Sequence, residues 1–182
     1  MSSSNTYTLL QYGDDPLRHH FIDTENRPAF SMLTTKSSLN QVAQDPNLVL
    51  RLTRETAWSS QHPSIMGPDN SFFYLGPEST AGYIIYGNNA SNIPMNFFLR
   101  PGKREQSLSR YFRAQSGKDY KWRIGSHRME CFDGRTVLAT WEVSSPEHEY
   151  YARLHIKQNA LPLITEIVTA LILNRMALAL GW

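Results

Sequence analysis

Four kinds of residue here have types and spacings that could do chemistry: six histidines, one cysteine, scattered carboxylates, and a run of arginines and lysines. The histidines are His19, His20, His62, His127, His148 and His155. None has the helical i, i+4 spacing or the cysteine neighbours that build zinc sites, so they read as surface or turn residues. Cys131 sits beside Phe132 in an extended stretch and reads as a small buried hydrophobe rather than a nucleophile. Glu130 and Glu142 flank Asp133-Gly134 and read as solvated strand faces. No P-loop, dinucleotide fingerprint or nucleophile elbow is present. No catalytic residue, metal ligand or cofactor is therefore expected.

The basic residues carry the clearest signal. Between Arg100 and Arg128 stand Arg100, Lys103, Arg104, Arg110, Arg113, Lys118, Lys121, Arg123 and Arg128, against only Glu105 and Asp119. The segment carries +7 in a chain of net +2, so the rest of the chain carries −5. Such a cluster attracts anionic head groups at about 1 kcal/mol per residue near a membrane surface. It could also meet nucleic acid, with Tyr111, Phe112, Tyr120 and Trp122 for stacking. No recognition motif accompanies it and the net charge is small, so nucleic acid is not expected. The plain alternative is a solubilising strand face.

Short strands must position these residues. The chain has 182 residues, 41% hydrophobic, 19% charged and 12% aromatic, which suits one globular domain that leans towards β. Met1 to Thr6 is polar and expected to be disordered, leaving a single domain over residues 7–182. Leu48, Leu50 and Leu52 alternate with Val49, Arg51 and Thr53, the period of a half-buried strand. Ser71 to Leu75, Ala81 to Tyr86 and Met95 to Leu99 are further short apolar runs, separated by Gly76-Pro77 and Gly87-Asn88-Asn89. Tyr120, Trp122 and Ile124 oppose Lys121 and Arg123. Asp133-Gly134 signals a hairpin. After it, Val137, Ala139, Trp141 and Val143 oppose Leu138, Thr140 and Glu142. Tyr150, Ala152, Leu154 and Ile156 then oppose Tyr151, Arg153, His155 and Lys157. These three strands predict an antiparallel meander with one wet face.

The last segment changes period. Leu161 to Leu180 reads as a helix apolar nearly all round, with Pro162 in its first turn and Gly181 to end it. Glu166, Asn174 and Arg175 interrupt it, and a charge at mid-membrane costs about 2.5 to 3.5 kcal/mol. A core helix covering the strands' apolar faces is expected, not a transmembrane span. Met1 to Asp15 lacks the pattern of a signal peptide, and the lone cysteine fits a reducing compartment. The sequon Asn89-Ala90-Ser91 is then expected to be inert.

Tyr111-Phe112-Arg113, Asp119-Tyr120-Lys121-Trp122-Arg123, Thr136 to Trp141 and Ile164 to Asn174 together resemble a family of uncharacterised fungal domains. Those domains are distantly similar to the tubby and LURP-one-related proteins. The resemblance spans roughly Tyr7 to Met176. It implies an antiparallel β-barrel of tubby-like type, closed or nearly so, with the C-terminal helix through its centre. It also implies phosphoinositide recognition through a basic surface, or action at membranes as in scramblases of similar fold. No individual lipid-binding residue carries over.

The expected function is a non-enzymatic, cytoplasmic binding module, peripheral to membranes, taking an anionic lipid or a protein through its nine basic residues. The alternatives are a small-molecule carrier or enzyme with Trp122 and Trp141 lining a pocket at the barrel mouth, and a structural or oligomerising protein.

Overall fold

The computed structural model describes residues 5–35, 48–87 and 91–182. The first four residues, the sequon at Asn89 and the turn beyond Gly87 lie outside the described residues.

The chain folds as two antiparallel meanders joined into one sheet. The first runs β1 (Thr6–Tyr12), β2 (His19–Asp23), β3 (Pro28–Thr35), β4 (Val49–Arg54), β5 (Asn70–Tyr74), β6 (Tyr83–Tyr86) and β7 (Ser91–Pro94). The second runs β8 (Arg100–Pro101), β9 (Ser109–Arg113), β10 (Asp119–Arg123), β11 (Arg128–Asp133), β12 (Thr136–Val143) and β13 (Ala152–Lys157). Within each meander, strands pair with their sequence neighbours, and β1 pairs with β13 to join the halves. β1 begins at Thr6, which pairs with Lys157, one residue before the start expected from sequence.

The sheet does not close into the barrel, closed or nearly so, that the resemblance implies. The strand order begins at β7 and ends at β8, and these two do not pair. The chain between them is one helical turn, α2 (Met95–Phe98), where the sequence suggested another strand. Met95 and Phe98 are three apart and both buried, so one turn of helix puts both into the core. The sheet is therefore open, with thirteen strands.

Inside the sheet lies α3 (Ile164–Leu180), preceded by a 3-10 segment over Gln158–Leu163 that takes in Pro162. Fourteen of its 17 residues are buried. A helix apolar on every side needs cover on every side. The sheet supplies it with Leu9, Phe21, Phe30, Leu50, Phe73 and Ile84 from one half, and Phe112, Trp122, Trp141, Leu154 and Ile156 from the other. Each fully buried Leu or Ile contributes about 1.5 to 3 kcal/mol. Gly181 ends the helix in the left-handed region (φ 77°) and donates its N–H to Ala177 at 2.9 Å. By composition, Gln158–Leu180 is long and apolar enough to cross a membrane, yet 78% of its 18-residue apolar window, of mean hydropathy 1.7, is buried within the fold.

The three polar interruptions of α3 are buried too. Glu166 accepts the N–H of Gln115 at 3.0 Å, and burial pushes its carboxyl up. Asn174 donates to the Ala170 carbonyl at 2.8 Å. Arg175 donates to the Asp14 carbonyl at 2.8 Å and lies against the rings of Trp141 and Tyr151. A second buried cation, Arg54 on β4, reaches Asp69 at 2.9 Å and Thr165 Oγ1 on α3 at 2.9 Å, so it pins sheet to helix.

The alternation read from β12 fails at one place. A bulge shifts the β11–β12 register between Cys131 and Phe132, leaving Val137 and Leu138 opposite Phe132. Leu138 turns inward and Val137 is only half-buried.

Candidate functional site

The site grows from one register. Arg100 on β8 pairs with Tyr111 on β9, and Tyr111 pairs with Lys121 on β10. Paired residues share a face, so the three side chains form a row across the outside of the sheet. Their neighbours Phe112, Tyr120 and Trp122 point the other way and are buried. The β8–β9 connection folds back beside this row. Gly102 donates its N–H to Ser109 at 3.1 Å, and Ser107 donates its N–H to the Arg104 carbonyl at 3.1 Å. A Cβ on Gly102 would stand 2.6 Å from Ser107 Oγ, so a larger residue there would push the Ser107 side chain aside. The tight loop carries Lys103 and Arg104 to the same place.

The result is a surface cavity of about 700 Å³ whose lining includes Arg100, Lys103, Arg104, Lys121, Tyr111 and Asp119. Among the described residues, Asp119 is the only carboxylate in the lining. It takes Arg100 at 2.8 Å and Arg113 at 3.1 Å, and these hydrogen bonds pull its pKa down to about 2. Lys103, Arg104 and Lys121 make no ion pair among the described residues. The Nε of Arg100 is buried and lacks a hydrogen-bond partner among them as well. The geometry thus concentrates cationic donors around a space large enough for a small ligand.

The structure brings together four of the nine basic residues singled out from sequence. The other five have different surroundings. Arg113 is held by Asp119, and Lys118 by Asp133 at 2.6 Å. Arg123 faces Glu130 at 3.5 Å, and Arg128 bridges Glu130 and Glu142, each at 3.2 Å. Arg110 pairs with Trp122 on the inward-facing side of the sheet and is half-buried.

Tyr111, Ser107 and Gly102 belong to the site but were not expected from sequence. The sequence marks Tyr111 only as a stacking residue. A glycine and a serine flanking a basic loop are the sole local signal for the others.

The remaining chemistry-bearing residues are accounted for separately. Cys131 is fully buried, and burial pushes its thiol well above the usual range. His19 is buried, against the surface reading from sequence. Its Nδ1–H donates to the Asp15 carbonyl at 2.9 Å, and burial, with Arg175 nearby, lowers its pKa to about 4. His62 meets Tyr7 at 3.2 Å, and Tyr7 accepts the indole N–H of Trp58 at 2.8 Å and faces Asp23. Burial pushes against ionisation of Asp23, but N–H donors from Arg27 and Glu25 outweigh it and hold its carboxyl below the usual range. That cluster ties α1 (Thr56–Ser59) to β1 and β2. Trp122 is buried, while Trp141 touches a small open cavity beside Arg175. No group of three or more candidate metal ligands occurs among the described residues.

Fold and site together define a class: an open antiparallel sheet wrapped on an apolar C-terminal helix, with a cationic pocket on its outer face. The chain belongs to the family of unknown function DUF6593, whose sequence pattern matches residues 14–176. That match takes in the pocket and α3 through Met176. No curated protein and no solved structure matches the chain significantly.

Proposed function

We propose that this chain is a non-enzymatic binding module that takes a phosphorylated anionic group, of the kind borne by a phosphoinositide, in the pocket between β8 and β10. The observation that carries the reading is the convergence of Arg100, Lys103, Arg104 and Lys121 on one cavity with a single opposing carboxylate. A desolvated phosphate needs several charge-assisted donors at once, and a scattered strand face does not supply them. A tubby-like relationship would account for a helix held inside a curved sheet, and a phosphoinositide ligand would place the protein in the cytoplasm at the membrane periphery.

Calorimetry with soluble inositol 1,4,5-trisphosphate at low salt tests the reading. Binding should appear, weaken as salt rises, and vanish in a Lys103→Glu, Arg104→Glu variant. No heat of binding, or equal affinity in the variant, would overturn it.

A further inference from the structure

We infer that Arg175 and the apolar side chains around it form a second ligand site, one that takes a small carboxylate with an apolar body. The site lies near the C-terminal end of α3 and shares no lining residue with the cationic pocket. It stands whichever way that pocket is read.

Among the described residues two arginines are buried, and their charges are met differently. Arg54 reaches a carboxylate, Asp69, at 2.9 Å. Arg175 is only 7% exposed and makes no ion pair among the described residues. Its Nη2 donates to the Asp14 carbonyl at 2.8 Å. Its guanidinium lies 5.1 Å from the centre of the Trp141 ring and 5.6 Å from that of Tyr151. Its Nη1 is buried and has no hydrogen-bond partner among the described residues. A carbonyl and two ring faces offset part of the cost of burying a cation, and a carboxylate would offset more.

Arg175 is also part of the wall of a cavity of about 240 Å³. The rest of that wall is mostly apolar, with Met129 and Trp141 from the sheet and Leu178 and Ala179 from the last turn of α3. Leu178 is 54% exposed, although it belongs to the helix whose other apolar side chains fill the core. Asp14 borders the cavity too, but it is an exposed residue, so water and salt screen its carboxylate. An apolar hollow with one under-satisfied cation suits a small organic acid. The carboxylate meets Arg175 through charge-assisted hydrogen bonds, and the apolar body lies against Trp141 and Leu178. Inorganic phosphate would leave the apolar wall unused, and a neutral hydrocarbon would leave Nη1 unpaired.

Proton–nitrogen NMR of the full chain at neutral pH tests this. The signal to follow is the Trp141 indole N–H, which Gln11 Oε1 holds at 2.9 Å. The probes are benzoate and hexanoate, each set beside its neutral amide. Both acids should shift that signal saturably. The amides should bind roughly tenfold more weakly, because they give Arg175 a neutral acceptor in place of a charged one. Ala179→Trp fills the cavity from its exposed rim while keeping Arg175, and it should abolish binding of the acids. Arg175→Met should do the same; where that variant does not fold, Ala179→Trp decides. The Lys103→Glu, Arg104→Glu variant should bind both acids as the wild-type chain does. The inference is overturned by the lack of a saturable shift, by equal affinity for acid and amide, or by binding that survives Ala179→Trp. Loss of acid binding in the Lys103→Glu, Arg104→Glu variant overturns it as well, since the acids would then sit in the cationic pocket. The inositol trisphosphate titration tests the phosphate reading separately, so either can fail alone.

Discussion

Arg100 on β8 and Asp119 on β10 meet at 2.8 Å across the intervening strand β9. The contact spans the last three strands at the open end of the sheet, where β8 has only two residues and one paired neighbour. It fixes one wall of the cationic pocket and also lowers the pocket's charge by one.

Asp119→Asn should therefore strengthen anion binding. Removing the only carboxylate in the cavity, at a site where a unit charge is worth about 1 kcal/mol near a membrane surface, predicts roughly fivefold tighter binding at low salt. The salt dependence should steepen as well. A titration of soluble inositol 1,4,5-trisphosphate against both proteins checks this, and weaker binding by the variant counts against the pocket's assignment.

The buried Arg54 should be costly to remove. Truncation to Ala strips donors from the Met66 carbonyl, Thr165 and Asp69 and opens a gap between β4 and α3. Asp69 is half-exposed and water can take over its contact, so the cost falls mainly on the Met66 carbonyl and the buried Thr165 hydroxyl and is about 1.5 to 3 kcal/mol. Urea unfolding of Arg54→Ala should show a loss of that order, while Lys103→Ala, on the surface, should change stability by less than about 0.5 kcal/mol.

His19 predicts an acid-side loss of stability. Its folded pKa, about 4, lies below the ordinary histidine value of 6.5. Between these values the unfolded chain binds the proton and the folded chain does not, so stability falls as pH drops. The contribution is complete above about pH 6.5 and is lost as pH falls towards 4. For a shift of this size the loss is about 3 kcal/mol. His19→Phe should flatten the unfolding midpoint across that window; an unchanged pH profile would contradict the assignment.

Deleting α3 should destroy the fold rather than release a soluble sheet. A chain ending at Asn159 loses the fourteen buried residues of α3 together with Ala160 and Leu161, and bares the inner faces of both meanders. Circular dichroism and solubility of the truncation check this. A well-folded soluble product would contradict the core role of the helix.

Much of this fold is legible in the sequence because it is written in local period. Ala152, Leu154 and Ile156 alternate with Arg153 and His155, and all three are buried. Gly134 takes a positive φ of 58° as the first residue of the two-residue turn between Asp133 and Thr136. Ile164 to Met176 is apolar on every side, and every residue of it is buried. What stayed hidden depends on partners far along the chain. The β11–β12 bulge that turns Leu138 inward has no local signal, because alternation continues through it in sequence. Met95 to Leu99 is as apolar as a strand, but the gap between β7 and β8 makes it a helical turn. His19 looks like a surface residue until the Asp15 carbonyl and α3 close over it.

The site divides in the same way. The density of positive charge between Arg100 and Arg128 is plain from composition, but which charges converge is decided by strand register. Lys121 reaches the cavity because Tyr111 pairs with it and with Arg100. Arg123, two residues on, meets Glu130 instead. Sequence shows the nine cations and not the carboxylates that occupy five of them or the strand face that withdraws Arg110.

The most direct test compares two sets of neutral substitutions by flotation on phosphoinositide-containing vesicles at low salt. One protein carries Lys103→Gln, Arg104→Gln and Lys121→Gln, inside the cavity. The other carries Arg123→Gln and Arg128→Gln, outside it. At about fivefold per cation, the first set should lose roughly a hundredfold in affinity. The second should stay within about twofold of the wild-type chain, since Glu130 and Glu142 already neutralise those arginines. Equal losses per charge removed in the two proteins would mean a diffuse electrostatic surface and would contradict the pocket.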